Sequence, residues 1–180
     1  MRVLGIRHLM AWGLGLLLLA GCAMVPKAKD GEPLKANQGL VVFHVTSNVD
    51  SGLSYLDYAD VSTFSSRFSE LMVGPKGSLP IKAGETFYVI PLDAGDYMFS
   101  RFDAHPYFLW LQGANRFKVR PNAITYIGHL RVRVAAARLS LQAGDRELDM
   151  RTHLAETYPT YFGKMDFQKA IAELRPLVRP

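Results

Sequence analysis

Short runs of apolar residues, interrupted by glycine, proline, asparagine and aspartate, fill most of the chain after residue 37. The interruptions recur at intervals of roughly 8–12 residues, which is typical of an antiparallel sandwich or barrel. No helical segment of crossover length lies between the runs, so a parallel sheet is not expected. The predicted strands are residues 39–47, 67–73, 86–92, 96–102, 107–112, 116–120 and 123–134, with 137–142 as a further candidate. The pattern therefore predicts a mainly β fold, a single antiparallel β-sandwich.

Two turn sequences are expected to join neighbouring strands as hairpins. Residues 93–96 connect two strand-like runs, and Gly95 can take the positive φ angle that hairpin connections often require. Pro121 and Asn122 mark a second tight connection.

Alternation across the second connection separates a polar face from an apolar one. The polar face would carry Arg116, Lys118, Arg120, Thr125, Ile127, His129, Arg131 and Arg133. The opposite face, which we expect to be core, would carry Phe117, Val119, Ile124, Tyr126, Gly128, Leu130, Val132 and Val134.

The pattern turns helical after residue 143, so residues 38–143 are expected to form the sandwich and 144–180 a helical C-terminal extension. Residues 165–176 place apolar side chains at i, i+3, i+4 and i+7, namely Phe167, Ala170, Ile171 and Leu174. Asp166 could cap this helix and Pro176 could end it. Residues 145–159 form a weaker helix candidate. We expect both helices to pack on the sandwich, and docking on a partner is the alternative.

The first 21 residues have the layout of a secretory signal peptide. Arg2 and Arg7 precede an uncharged run of about twelve residues, and small residues follow at Ala20 and Gly21. This run is too short for a membrane-spanning helix, which needs about 20 apolar residues. Residues 22–37 contain prolines, a glycine and alternating charge, so they are expected to form a flexible tether.

Leu19-Ala20-Gly21-Cys22 resembles the lipobox of bacterial lipoprotein precursors. The resemblance implies cleavage before Cys22, a diacylglyceryl group on its sulfur and acylation of the freed amine, with palmitate as a typical chain. Two or three chains make a durable anchor. Ala23 follows where an inner-membrane retention signal would usually have aspartate, which implies the outer membrane, facing the periplasm. An ordinary secretory signal with a nearby cysteine is the alternative.

Two motifs in the strand region resemble a poorly characterised group of bacterial lipoproteins with a transthyretin-like or immunoglobulin-like sandwich. One is a Gly-x-Tyr turn after a proline, from Pro91 to Tyr97. The other is a phenylalanine strand that leads into a Tyr-x-Gly strand, from Phe117 to Gly128. The resemblance implies the fold and carries no catalytic residue.

Charge and cysteine content exclude some classes of protein. Removal of residues 1–21 lowers the formal net charge from +5 to +3, and the remaining chain lacks the dense lysine and arginine runs of a nucleic-acid-binding protein. A single cysteine cannot form an internal disulfide, and the remaining 159 residues suit one domain with its own core.

Chemical motifs are sparse. His44, His105, His129 and His153 lack the spacing of a metal site, so exposed strand faces explain His44 and His129 best, although three could meet to bind zinc. Residues 145–149 alternate acids like a calcium loop, but Met150 stands where that loop needs glycine. No metal, cofactor or catalytic residue is therefore predicted. The alternative is an envelope hydrolase assembled from dispersed histidine and aspartate residues.

One surface is a candidate for binding. Arginine can hold phosphate or carboxylate through two hydrogen bonds, and an envelope offers lipopolysaccharide, phospholipid head groups and peptidoglycan as anions. A solvated face that blocks edge pairing is the alternative. The candidate anion-binding residues are Arg116, Lys118, Arg120, Arg131 and Arg133. Together these features predict a lipid-anchored, non-enzymatic binding or accessory module for an envelope component or protein complex.

Overall fold

The computed structural model describes residues 27–57, 76–111, 116–135 and 138–171. Within these ranges the chain folds mainly into strands, with two short helices near the C-terminal end. In chain order the elements are β1 Gln38–Ser47, β2 Ser51–Asp57, β3 Gly77–Ile81, β4 Gly84–Asp93, β5 Gly95–Ala104, β6 Tyr107–Trp110, β7 Arg116–Val119, β8 Ala123–Ala135, β9 Arg138–Gly144, α1 Glu147–Thr157, α2 Pro159–Phe162 and β10 Asp166–Lys169. None of the helices in the described ranges has the length and hydrophobicity to cross a membrane.

The strands form two sheets, and the mainly β sandwich fold is confirmed. The first sheet has the order β10-β8-β1-β4, and β9 also pairs with β8. Strands β10 and β9 share one edge of β8, because β10 pairs with residues 123–126 and β9 with residues 129–135. The second sheet has the order β3-β2-β5-β6, and β7 also pairs with β5.

Apolar side chains from both sheets meet in the main core. Val41, Phe43 and Val45 alternate along β1 and are fully buried against residues of the second sheet. The rings of Phe43 and Tyr88 stack at 4.9 Å, and Phe99 meets Phe43 edge-on at 6.3 Å. Burial of such large side chains supplies the main driving force for folding, about 1.5–3 kcal/mol for each one.

A second, smaller core lies on the other side of the first sheet. Leu40 and Val42 of β1 pack there against Met150 and Leu154 of α1 and against Tyr161 of α2. The predicted helix over residues 145–159 is thus present as α1, and the first sheet is buried on both faces along much of its length.

The first sheet is not entirely antiparallel, whereas every described strand pair of the second sheet is antiparallel. Strand β1 pairs with β8 in parallel, and so does β10. A parallel pair needs a long connection between its strands. Here the chain between β1 and β8 passes through the whole second sheet, so the strands of that sheet supply the connection that sequence reasoning sought in a helix.

Both predicted hairpins are corners that carry the chain from one sheet to the other. Strand β4 belongs to the first sheet and β5 to the second, while β7 belongs to the second and β8 to the first. Gly95 does not adopt a positive φ, whereas Asn122 does, at 51°. The Tyr97 hydroxyl donates a hydrogen bond to the Asp93 carbonyl oxygen at 2.8 Å and braces the first corner.

A bulge at Gly128 reverses the alternation of β8. Val42 lies opposite Tyr126, but His44 lies opposite His129, so β8 contains one extra residue between these pairs. Gly128 has a φ of 107°, which an L side chain rarely adopts. Before the bulge Ile124 and Tyr126 face the helices, and after it Leu130 and Val132 face the main core. The single apolar face predicted for β8 is therefore wrong, because its members divide between two cores.

The predicted helix from Asp166 is also wrong. Residues 166–169 form β10, which pairs in parallel with the first half of β8, and the Ala170 amide continues the ladder to the Tyr126 carbonyl oxygen at 2.8 Å. The Phe167 ring packs on Tyr126 at 6.0 Å, below the Arg151 guanidinium. Hydrogen bonds to the edge of β8 stabilise residues 166–169 as a strand more than the local helical pattern stabilises them as a helix.

Leu174 and the predicted strand 67–73 lie outside the described residues, and β2 and β3 were not predicted.

Candidate functional site

The predicted lipidation residue, Cys22, lies outside the described residues. The lipobox therefore stays a prediction. The nearest described part of the chain begins at Lys27, five residues later.

The predicted anion-binding face does not form as one surface. Arg116 and Lys118 lie exposed on the outside of the second sheet, where the pairing of β7 with β5 places them, and Arg120 is exposed directly after β7. Arg131 and Arg133 lie exposed on the outer side of the first sheet. The physical reason is the corner at Pro121 and Asn122, which separates β7 and β8 instead of pairing them.

The structure brings together three histidines that are far apart in the sequence. His44 of β1 lies beside His129 of β8 and Phe87 of β4, and the ring of His153 from α1 packs on the far side of Phe87. The rings stack face to face, with centroid separations of 4.3 Å between His44 and His129, 4.4 Å between His44 and Phe87, and 4.2 Å between Phe87 and His153. We call these four residues the histidine stack.

The histidine stack is buried, contrary to the expectation of exposed strand faces. His44 is 0% exposed and His129 is 5% exposed. The parallel pairing of β1 with β8 and the layer formed by α1 cover them, and neither feature is visible in the alternation of β1. His105, by contrast, lies exposed between β5 and β6.

Charged groups surround one end of the stack. A Glu85 carboxylate oxygen lies 2.8 Å from His44 Nε2, but outside the direction of a hydrogen bond, and His44 Nδ1 has no partner among the described residues. Arg146 donates to the same Glu85 oxygen at 3.0 Å and pairs with Asp149 at 2.5 Å. The Thr46 hydroxyl lies 2.9 Å from His129 Nε2.

Burial keeps the stacked histidines neutral at neutral pH. Burial lowers the pKa of His44, and the Glu85 carboxylate only partly opposes it. Burial, with His44, Arg146 and Arg131 nearby, lowers the pKa of His129 from 6.5 to about 4. Burial also lowers the pKa of His153. Neutral rings can stack without charge repulsion, so the cluster suits packing at neutral pH.

The stack does not have the arrangement of a metal centre. No group of three histidine, cysteine, aspartate or glutamate side chains in the described ranges is placed to hold a metal ion. Face-to-face rings direct their nitrogen atoms side by side, whereas zinc needs ligands that converge in a tetrahedron.

In the predicted solvated loop, Asp145 accepts a hydrogen bond from the Glu147 amide at 3.0 Å and also pairs with Lys169, which lowers the Asp145 pKa.

The N-terminal segment, residues 27–38, packs on the fold. The Ala28 amide donates to the Val89 carbonyl oxygen at 2.8 Å, and Ala28 is buried. The Asp30 carboxylate accepts from the amides of Thr160 and Tyr161 at 3.2 and 3.3 Å. The predicted flexible tether is therefore wrong for residues 27–37, because backbone and carboxylate hydrogen bonds tie them to β4 and α2.

Two cavities of about 420 and 380 Å³ lie along the N-terminal segment. The residues common to both linings are Glu32, Pro33, Leu34, Lys35, Gln38 and Tyr161. Lys27 and Lys29 line the smaller cavity, and Lys164 lines the larger one. These lysines are exposed, so the segment presents a basic, recessed surface that sequence reasoning missed because it treated residues 22–37 as unstructured.

Asp30→Ala is expected to loosen the N-terminal segment and to speed tryptic cleavage after Lys35 several-fold. Burial opposes ionisation of Asp30, but hydrogen bonds from Thr160 and Tyr161 outweigh it and lower the Asp30 pKa, so the carboxylate is charged when it holds α2. Limited proteolysis with mass detection of the released peptide measures the rate.

The matched control for Asp30 is Asp96→Ala. Asp96 is exposed, and its carboxylate pairs with Lys118 at 3.7 Å rather than with α2. Equal cleavage rates for the two variants would contradict the proposed role of Asp30.

Comparisons with protein-family models, with curated proteins and with solved structures give no match.

Proposed function

We propose that this chain is a lipid-anchored envelope protein that acts as a non-enzymatic binding or accessory module next to the membrane. The anchor would be Cys22, within the lipobox-like sequence Leu19-Ala20-Gly21-Cys22. Because Ala23 stands where an inner-membrane retention signal would usually have aspartate, the protein would be anchored in the outer membrane and would face the periplasm. Its partner would be an envelope protein, lipopolysaccharide or peptidoglycan.

The observation that carries the proposal is the packing of residues 27–38 on the sandwich. Only five peptide units separate Cys22 from Lys27. A chain extends at most about 3.6 Å per residue, so Cys22 would lie within about 18 Å of the packed segment, whatever the conformation between them. A lipidated Cys22 would hold the sandwich directly against the membrane rather than at the distance a free tether of residues 22–37 would allow.

The hydrolase alternative is favoured by one contact, that of the Thr46 hydroxyl with His129 Nε2 at 2.9 Å, which resembles a nucleophile and its base. A general base works best when its pKa lies near the working pH. The His129 pKa of about 4 makes it a poor proton acceptor at neutral pH. We therefore favour the binding module. If the Thr46→Ala variant folds normally but cannot replace the parent protein in cells, the result would support the hydrolase instead.

Cys22→Ser is expected to abolish incorporation of labelled fatty acid into the protein in cells, because serine offers no thiol for the thioether. The labelled protein is measured after immunoprecipitation from the membrane fraction. Ala23→Ser is the matched control, since it changes the neighbouring residue, leaves the thiol in place and should keep the label.

Continued labelling of Cys22→Ser, or an unlabelled parent protein, would overturn the lipid anchor. Crosslinking of the labelled protein in cells then identifies the partner. A discrete protein adduct would support an accessory subunit, while adducts of glycan or lipid alone would support a binding role toward those components.

A further inference from the structure

We propose that the N-terminal segment and Lys164 form a membrane-contact surface that binds the head groups of anionic phospholipids. The inference rests on the proposed lipid anchor for its orientation. Its chemistry rests on the charges and recesses of the described residues.

Charge is the first argument. Lys27, Lys29, Lys35 and Lys164 are exposed along the two cavities, and the acidic side chain that lines them is Glu32. Asp30 is turned away, because its carboxylate accepts hydrogen bonds from the first turn of α2. The surface therefore carries a net positive charge close to the chain that leads to Cys22. Basic residues beside a lipid anchor strengthen binding to anionic membranes, and one acyl chain with a basic patch holds better than either alone.

Shape is the second argument. The cavities are recesses of about 420 and 380 Å³ that share Leu34 and Lys35 in their linings, rather than a flat strand face. Lysine ammonium groups bind phosphate as point charges and donate several hydrogen bonds. Gln38 lines both recesses and Asn122 lines the larger one, and both add polar groups. A phosphate head group can therefore lie between the lysines instead of only above them.

Position is the third argument. Strand β1 begins at this surface and runs ten residues to Ser47, about 30 Å away. A second group of basic residues lies at that opposite end, where Ser47 pairs with Gly84 and Val132, and consists of Lys82, Arg131, Arg133 and Arg138. Lys27 lies beside Tyr88 and Val89, opposite the middle of β1, so the two groups of basic residues occupy different parts of the fold and their contributions can be measured separately.

Vesicle binding tests the surface. The probe protein is the full mature chain with Cys22→Ser, so that acyl chains do not contribute. Cosedimentation is measured with vesicles of phosphatidylcholine mixed with phosphatidylglycerol and with vesicles of phosphatidylcholine alone, at low and high salt. We expect binding to the anionic vesicles only, and weaker binding at high salt, because salt screens exposed charges.

Two matched fourfold variants locate the contact. Replacement of Lys27, Lys29, Lys35 and Lys164 by glutamine should lower the affinity for anionic vesicles by about tenfold or more. The same replacement at Lys82, Arg131, Arg133 and Arg138 should leave most of the affinity in place. All eight residues are exposed, so thermal melts should match the parent protein and show that both variants fold.

The outcomes separate this inference from the proposed function. Equal binding to both vesicle types, or a larger loss in the second variant, would overturn the membrane-contact surface even if Cys22 is labelled with fatty acid. An unlabelled Cys22 combined with binding that depends on the four lysines would keep the surface and remove the anchor.

Discussion

Acidification from neutral pH to about pH 4 is expected to lower the free energy of unfolding by about 3 kcal/mol through His129 alone. The His129 pKa is about 4 in the folded protein and near 6.5 in the unfolded chain. Between these values the unfolded chain binds more protons, so unfolding becomes easier as the pH falls. The stabilisation is fully present above pH 6.5 and is lost as the pH approaches 4.

The surroundings of the stack explain the direction. Burial is the main cause, and His44 from β1, Arg146 from the start of α1 and Arg131 from β8 act in the same direction. Glu85 from β4 opposes them, and it is already shared with Arg146. The pKa values of His44 and His153 are lowered too, so both add to the acid sensitivity.

Urea unfolding at a series of pH values measures this effect. His129→Phe keeps a ring in the stack but cannot be protonated, so its stability should lose the His129 share of the pH dependence between 6.5 and about 5 and keep the share of His44 and His153. That interval lies above the range in which Asp30, Asp50, Asp145 and Glu147 lose their charge, since their pKa values lie below the ordinary ones. His105→Ala, at an exposed histidine, is the control and should keep the full slope. If the free energy of unfolding of His129→Phe kept the full pH dependence of the parent protein, His129 would not be a source of the acid sensitivity.

Gly39→Ala is expected to destabilise the protein by about 3 kcal/mol or more, at the upper end of the range for overpacked sites. Gly39 is buried near the start of β1, where the corner between β7 and β8 crosses it. A Cβ atom there would lie 2.2 Å from the Arg120 carbonyl oxygen and 2.9 Å from that of Ala123. Both obstacles are backbone atoms, so no side-chain rotation relieves the clash.

Gly52→Ala is the matched control, because Gly52 also lies inside a strand. Among the described residues its added Cβ would meet Ser78 Oγ at 3.7 Å and Asp103 Cβ at 4.0 Å, which are ordinary contacts. Denaturant unfolding of both variants should show a large loss for Gly39→Ala and little change for Gly52→Ala. A similar loss of stability in the two variants would mean that the corner between β7 and β8 leaves room for a Cβ atom at residue 39.

Local sequence patterns predicted the strands and the helix whose conformation depends mainly on residues close by in the chain. The apolar run of residues 39–47 placed β1 correctly, because its β-branched and aromatic side chains favour a strand whatever the strand pairs with. Helix α1 was also predicted from local sequence, as a weaker helix candidate that ends before Pro159. The candidate site was not predicted, because the stack needs His44, His129 and His153 to be brought together by pairing and packing across more than a hundred residues.

The sequence by itself determined the mainly β class, the strong strands β1, β4, β5 and β8, helix α1, and the expectation of a lipidated N-terminus. Only the tertiary structure decided which strands share a sheet, and hence that Arg120 and Arg131 lie on different surfaces. It also decided that the bulge at Gly128 reverses a face of β8, that residues 166–169 form a strand, and that residues 27–38 pack on the fold. The physical reason is that periodicity and turn residues act within a few positions, whereas pairing, bulges and open sheet edges depend on partners far away in the chain.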